Sequence, residues 1–106
     1  MSNTGARVKF EAVREMAAAS ITTSYQLLGT ALTRNYFTLV LTNTTNGDIY
    51  VSFDNSTDQM LVPASTGRVF DYKTNDMYLG PESIYIKWKS APGAPTGTFA
   101  VEVQYV

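Results

Sequence analysis

The chain contains no histidine and no cysteine, and only 16% of its 106 residues are charged. An average soluble protein carries roughly 25% charged residues, so uncharged polar groups must cover much of this surface, and Thr, Ser and Asn are plentiful enough to do so. Without imidazole or thiol, the chain offers no histidine base, thiolate nucleophile, zinc finger, haem ligand or disulfide. A hydroxyl nucleophile would have only lysine to activate it, and no Ser-x-x-Lys motif occurs. The sequence therefore predicts a protein that is not an enzyme and needs no cofactor or metal.

Charge of either sign is also scarce. Eight Lys and Arg stand against nine Asp and Glu, a formal net charge of −1. The nearest approach to a basic cluster, Arg7, Lys9 and Arg14, is neutralised by Glu11 and Glu15, so nucleic acid is not an expected partner. Long hydrophobic runs are missing too. No stretch approaches the roughly 18 to 20 apolar residues of a bilayer-spanning helix. The first residues, Met1-Ser2-Asn3-Thr4-Gly5-Ala6-Arg7, lack the apolar segment of a secretory signal, and synthesis in a cytoplasm is expected.

What is present is a hydrophobic fraction of 44% spread over a length suited to one domain. Residues 1–12 read as an extended N-terminal arm and 13–106 as a single domain. Residues 8–19 fit two periods, with Phe10, Val13 and Ala17 on a helical face, or Val8, Phe10, Ala12, Met16 and Ala18 alternating as a strand apart from Arg14. The β character of everything after Ser20 favours the strand.

Phe37, Leu39 and Leu41 alternate with Thr38, Val40 and Thr42, and Ile49, Val51 and Phe53 alternate with Tyr50, Ser52 and Asp54. Between them Asn46-Gly47 predicts a tight hairpin. Asp54 to Asp58 reads as a second turn, Met60 to Val62 as a short strand ended by Pro63, Gly67 as a turn, and Val69 to Tyr72 as a strand. Ile84, Ile86 and Trp88 share one face while Tyr85, Lys87 and Lys89 share the other. After the Pro- and Gly-rich loop 90–97, Phe99, Val101, Val103 and Tyr105 form the inward face of a last strand. Six or more short strands at such spacing predict an all-β antiparallel sandwich, either jelly-roll or immunoglobulin-like. Its core would hold Phe37, Leu39, Leu41, Ile49, Val51, Phe53, Ile84, Ile86, Trp88, Phe99, Val101 and Val103.

The candidate chemistries are few. Asp54, Ser56 and Asp58 imitate the first ligands of a calcium loop, but Gln59 and Ser65 stand where its glycine and bidentate glutamate belong, so DNSTD reads as a polar turn. The carboxylates Asp71, Asp76, Glu82 and Glu102 fall in turns or on solvent-facing positions and suggest no acid pair for glycoside cleavage. The sequons Asn43-Thr44-Thr45 and Asn55-Ser56-Thr57 are read as chance matches. Trp88 is phased with the core, leaving Tyr50, Tyr72 and Tyr85 as the exposed aromatic surface for a protein partner or a glycan.

Three segments stand out, AVREMAAASITTSYQLLGTALT, LVLTNTTNGDIYVSFDNSTDQMLVPASTGRVFDY and SIYIKWKSAPGAPTGTFAVEVQYV, the second of which contains the pattern TNxTxGDxYVSFDxxTDxxxVPA. From Ala12 to Val106 the chain resembles small virion proteins of tailed bacteriophages. The resemblance implies a β-sandwich or jelly-roll module that decorates or cements a capsid shell, or joins neck and tail. It implies a homo-oligomer bound to the major capsid protein or neighbouring virion proteins. Contacts would come from the arm between Ser2 and Ala12, Arg7, Val8 and Phe10 in particular, and from Tyr50, Tyr72 and Tyr85. A glycan-binding module is the alternative.

Overall fold

The computed structural model describes residues 9–32, 36–71 and 83–105. Arg7, Val8 and Tyr72 lie outside them. The described residues form nine strands: β1 (Lys9–Phe10), β2 (Arg14–Ala17), β3 (Gln26–Leu27), β4 (Thr38–Asn43), β5 (Ile49–Ser52), β6 (Met60–Val62), β7 (Thr66–Asp71), β8 (Tyr85–Trp88) and β9 (Thr98–Tyr105). One 3-10 turn at Ala18–Ser20 is the only helical element among them. Two antiparallel sheets result, ordered β1/β2-β9-β4-β7 and β3-β8-β5-β6.

The pairing is nested. β2 pairs with β9, β3 with β8, β4 with β7 and β5 with β6, so the chain is one long hairpin folded over on itself. Bridges between β4 and β9 and between β5 and β8 then close the two sheets. An immunoglobulin domain pairs several strands that follow each other directly in sequence. Among the described residues β5 and β6 are the only consecutive strands that pair, and the wrap is that of a jelly roll.

That wrap overturns the hairpin expected at Asn46-Gly47. β4 and β5 lie in different sheets, and residues 44–48 carry the chain across the sandwich. Among the described residues only Asn55, Ser65, Gly29 and Gly97 have positive φ, so Gly47 does not supply a hairpin turn. Its lack of a side chain serves packing instead, because a Cβ there would lie 2.9 Å from Cζ3 of Trp88. The corner is held by Asn43, whose Oδ1 accepts from the Thr45 amide at 2.9 Å and whose Nδ2 donates to the Gly47 carbonyl at 3.0 Å. The turn assigned to Gly67 is likewise displaced. Ser65 takes the left-handed conformation at φ 59°, and Gly67 lies within β7.

Residues 9–17 are extended, as β-rich surroundings favour, but not in one register. Lys9 and Phe10 face Tyr105 and Gln104, whereas Arg14 faces Val101. Three residues, Glu11, Ala12 and Val13, therefore oppose two on β9, which is a bulge. The extra residue changes the phase: Arg14, Met16 and Ala18 turn inward while Phe10 turns out. Arg14 is buried among oxygens. Its Nε donates to the Thr30 carbonyl at 2.7 Å, and Nη2 binds Glu11 Oε1 at 3.0 Å.

The core lies between the sheets. Leu39, Leu41, Phe99, Val101 and Val103 meet Ile49, Val51, Val62, Ile84, Ile86 and Trp88, all buried. Each such aliphatic side chain contributes about 1.5–3 kcal/mol by leaving water. Trp88 satisfies its indole by donating Nε1–H to the Ile21 carbonyl at 2.8 Å. One core expectation needs correction. Phe53 is only half-buried against the core, because β5 ends at Ser52 and the chain turns away. Phe37 is buried as expected, and Tyr36 beside it joins the central cluster. Leu28 and Leu32 also join the core from a stretch with no strand-like alternation.

Candidate functional site

The outer faces of the two sheets differ in chemistry. On the second sheet, alternation along β8 sends Tyr85 and Lys87 outward while Ile86 and Trp88 enter the core. Register sets Tyr50 beside both Lys87 and Leu61, and Leu27 beside Tyr85. Tyr50 and Tyr85, both expected at a partner surface, therefore share this face, each half-buried.

Lys87 lies at its centre. Its Nζ sits 4.6 Å from the centroid of the Tyr25 ring and 5.8 Å from that of Tyr50, both within cation–π range. The Asp58 carboxylate completes the group, accepting from the Tyr25 hydroxyl at 2.5 Å and lying 3.4 Å from Nζ. Tyr25 precedes β3 and Asp58 precedes β6, so this pair ties together the two edges of the sheet. Partial desolvation, with the hydrogen bond to Asp58, pushes the Tyr25 hydroxyl well above its ordinary pKa. The same hydrogen bond holds Asp58 below the ordinary carboxylate range.

The neighbouring turn accounts for the calcium-like motif. Asp54 Oδ1 accepts from the Ser56 amide at 2.9 Å, the Thr57 amide at 2.8 Å and the Ser52 hydroxyl at 2.8 Å. These backbone donors hold its carboxyl far below the usual range. Asp54 and Asp58 thus serve different partners, and no cluster of three potential metal-ligating side chains occurs among the described residues.

The first sheet has the plainer outer face. Phe10 on β1, Val40 on β4 and Val69 on β7 point outward among Thr38, Thr42 and Gln104, with the exposed carboxylates of Glu15, Asp71 and Glu102 on the same face. Phe10 is 68% exposed and Val69 66%, and Val13 in the bulge is 52% exposed. Phe10 and Val69 stand on opposite edges of the sheet, with only Val69 and Val40 adjacent to each other. At one end of the face a shallow cleft of about 380 Å³ is lined by Thr42, Asn43, Thr44, Ser65, Thr66 and Gly67. Its walls are hydroxyls, one amide and backbone, with no charged group.

The expected contact residues consequently separate. Phe10 lies on the first sheet, and Tyr50 and Tyr85 lie on the other side of the sandwich. Tyr25 has no part in the sequence reading, while Asp58 enters it only as an imitation calcium ligand and Val69 only as the start of a short strand. Only Val69 carried a signal, as an apolar residue in a short β segment; the Tyr25–Asp58 contact spans 33 residues and depends on the nested topology.

No helix among the described residues is long and apolar enough to cross a membrane. In comparisons with known proteins, no family model matches the chain, and no curated protein or solved structure is significantly similar to it.

Proposed function

We propose that this chain is a non-enzymatic structural protein of a tailed-phage particle that decorates or cements the capsid shell through protein–protein contacts. The observation that carries the reading is the outer face of the first sheet. Phe10 and Val69 are exposed there and Val40 half-buried, among threonines and the carboxylates of Glu15, Asp71 and Glu102, with no cation on that face among the described residues. Such a face suits addition of buried interface between shell subunits, which needs about 800 Å² from each partner. The jelly-roll wrap agrees, since it is an architecture of capsid domains as well as of lectins.

Gradient co-sedimentation with intact and tailless particles, with copy number read by mass spectrometry, tests the proposal. Binding to tailless heads in copies comparable with the shell protein is the expected result. A few copies lost with the tail would move the protein to the neck, and no association would overturn the virion reading.

The second reading, a glycan-binding module, draws on Tyr25, Tyr50 and Tyr85 on the other face. Saturable, sugar-specific quenching of tyrosine and tryptophan fluorescence would favour it.

A further inference from the structure

The four sheet edges are not alike. β3 has two residues and β6 three, and the β1/β2 edge is broken by the bulge at Glu11–Val13. Shortness and bulging are the ordinary means by which sandwiches prevent unwanted strand pairing. β7 has neither. It runs six residues from Thr66 to Asp71 without proline, lysine or bulge, and every residue except Phe70 is exposed.

The direction of its free groups follows from its neighbours. The Thr98 carbonyl accepts from the Thr44 amide at 3.0 Å on the β4 side of β9, while the Val103 and Gly97 carbonyls accept from the Glu11 and Ala18 amides on the other side, which fixes the phase of the β4–β9 ladder. In an antiparallel ladder hydrogen-bonded pairs alternate, so Thr38, Val40 and Thr42 turn their backbone groups to β9, and Leu39, Leu41 and Asn43 turn theirs to β7. Their partners Phe70, Arg68 and Thr66 are thereby satisfied. The amides and carbonyls of Gly67 and Val69 point away from β4, and no described strand lies on that side. The one cation of β7 does not guard the edge. Arg68 is folded toward its own chain, with Nη1 donating to the Leu61 carbonyl at 3.3 Å and the guanidinium 5.2 Å from the Phe70 centroid.

We propose that β7 pairs antiparallel with β7 of a second copy of this chain, about a two-fold axis at Val69. The strand Thr66-Gly67-Arg68-Val69-Phe70-Asp71 is complementary to itself in that register. Val69 meets Val69 of the second copy, joining their exposed side chains on a continuous outer face. Because Val69 carries outward-facing backbone groups, each copy donates its amide to the other's carbonyl at the axis. Arg68 falls opposite Phe70 of the second copy, a cation–π pairing of the kind it already makes within its own chain. Gly67 falls opposite Asp71. An axis at Arg68 would instead set two guanidinium groups against each other, which is unfavourable. A net charge of −1 gives the two copies little reason to repel. The pairing is isologous and closed, so it stops at a dimer and removes the long edge. It goes beyond the virion reading and holds in solution without any particle.

The cysteine-free sequence makes the test direct. Val69→Cys, treated with a short bis-maleimide at micromolar concentration, should give a covalent dimer, because directly opposed Cβ atoms about 5.5 Å apart lie within its span though beyond that of an unstrained disulfide. Val13→Cys, also exposed but away from the axis, should cross-link far more slowly. By sedimentation equilibrium the unmodified chain should dimerise, and Val69→Lys should weaken the dimer about tenfold or more while circular dichroism stays unchanged. A chain that remains monomeric at high micromolar concentration would overturn the proposal. So would a dimer indifferent to Val69→Lys, or cross-linking of Val69→Cys no faster than that of Val13→Cys.

Discussion

The side-chain amide of Asn43, wholly buried, donates to the carbonyl of Val62 at 2.9 Å and so joins the two sheets at one end of the sandwich. Asn43 ends β4 in the first sheet and Val62 ends β6 in the second. The same Nδ2 lies 3.2 Å from the Pro63 carbonyl and 3.0 Å from that of Gly47, while Oδ1 takes the Thr45 amide. One asparagine thus satisfies backbone groups on two crossing segments, of which the Thr45 amide and the Val62 carbonyl are buried.

Replacing Asn43 should therefore cost more than an ordinary surface change. Asn43→Ala leaves the Thr45 amide and the Val62 carbonyl without their partner, and a loss of about 2–4 kcal/mol is expected by urea denaturation. Asn43→Asp should be worse, since a carboxylate would face three carbonyl oxygens.

Gly97 bears on the same end. Its φ is +87°, and a Cβ there would lie 2.2 Å from the Thr44 carbonyl oxygen. Gly97→Ala combines backbone strain with a clash against backbone that cannot easily move, and should destabilise by about 3 kcal/mol or more. A melting temperature equal to the parent's would contradict the placement of this loop against residues 44–45.

Arg14 anchors the extended segment that bears Phe10. Its guanidinium binds Glu11 and the carbonyls of Ala12, Thr30 and Ala31 while almost fully buried. Arg14→Ala should cost about 3 kcal/mol by breaking the ion pair with Glu11 and removing the donors to the Ala12, Thr30 and Ala31 carbonyls. Arg14→Lys should recover only part, because one ammonium cannot reproduce the planar set of donors. Hydrogen exchange should quicken first at Glu11, whose amide binds the Val103 carbonyl.

The Tyr25–Asp58 bond makes stability depend on pH at both extremes. The folded-state pKa of Tyr25 is raised, so its contribution is present below the unfolded value of about 10 and is lost as pH rises beyond it. That of Asp58 is lowered, so its contribution is present above about pH 4 and is lost as pH falls through the folded value. Subtracting the stability profile of Tyr25→Phe from that of the parent should leave a plateau between these limits that falls on either side. A flat difference curve would show that the pair is not formed in solution.

Much of this architecture is legible along the chain. The alternation at 38–43, 49–52, 85–88 and 98–105 dictates strands with one face buried, because the two-residue period of extended backbone leaves those apolar groups no other common side. The same alternation puts Trp88 inside and Tyr50, Tyr85 and Lys87 outside. The absence of histidine and cysteine depends on no fold at all, and neither does the shortage of charge.

Partner choice is different. Nothing near Asn46-Gly47 distinguishes a hairpin from a crossing between sheets. The crossing is decided by distant groups, the Thr98 carbonyl and the Trp88 ring, which exist at that place only once the long hairpin has folded over. The bulge that turns Phe10 outward reflects a register against β9, some ninety residues away in sequence, and the Tyr25–Asp58–Lys87 group requires three strand connections to be in place. Local periodicity thus determined which side of each strand is apolar. Tertiary structure decided which strands meet, which edge stays open and which side chains share a face, because those outcomes depend on contacts between residues far apart in the chain.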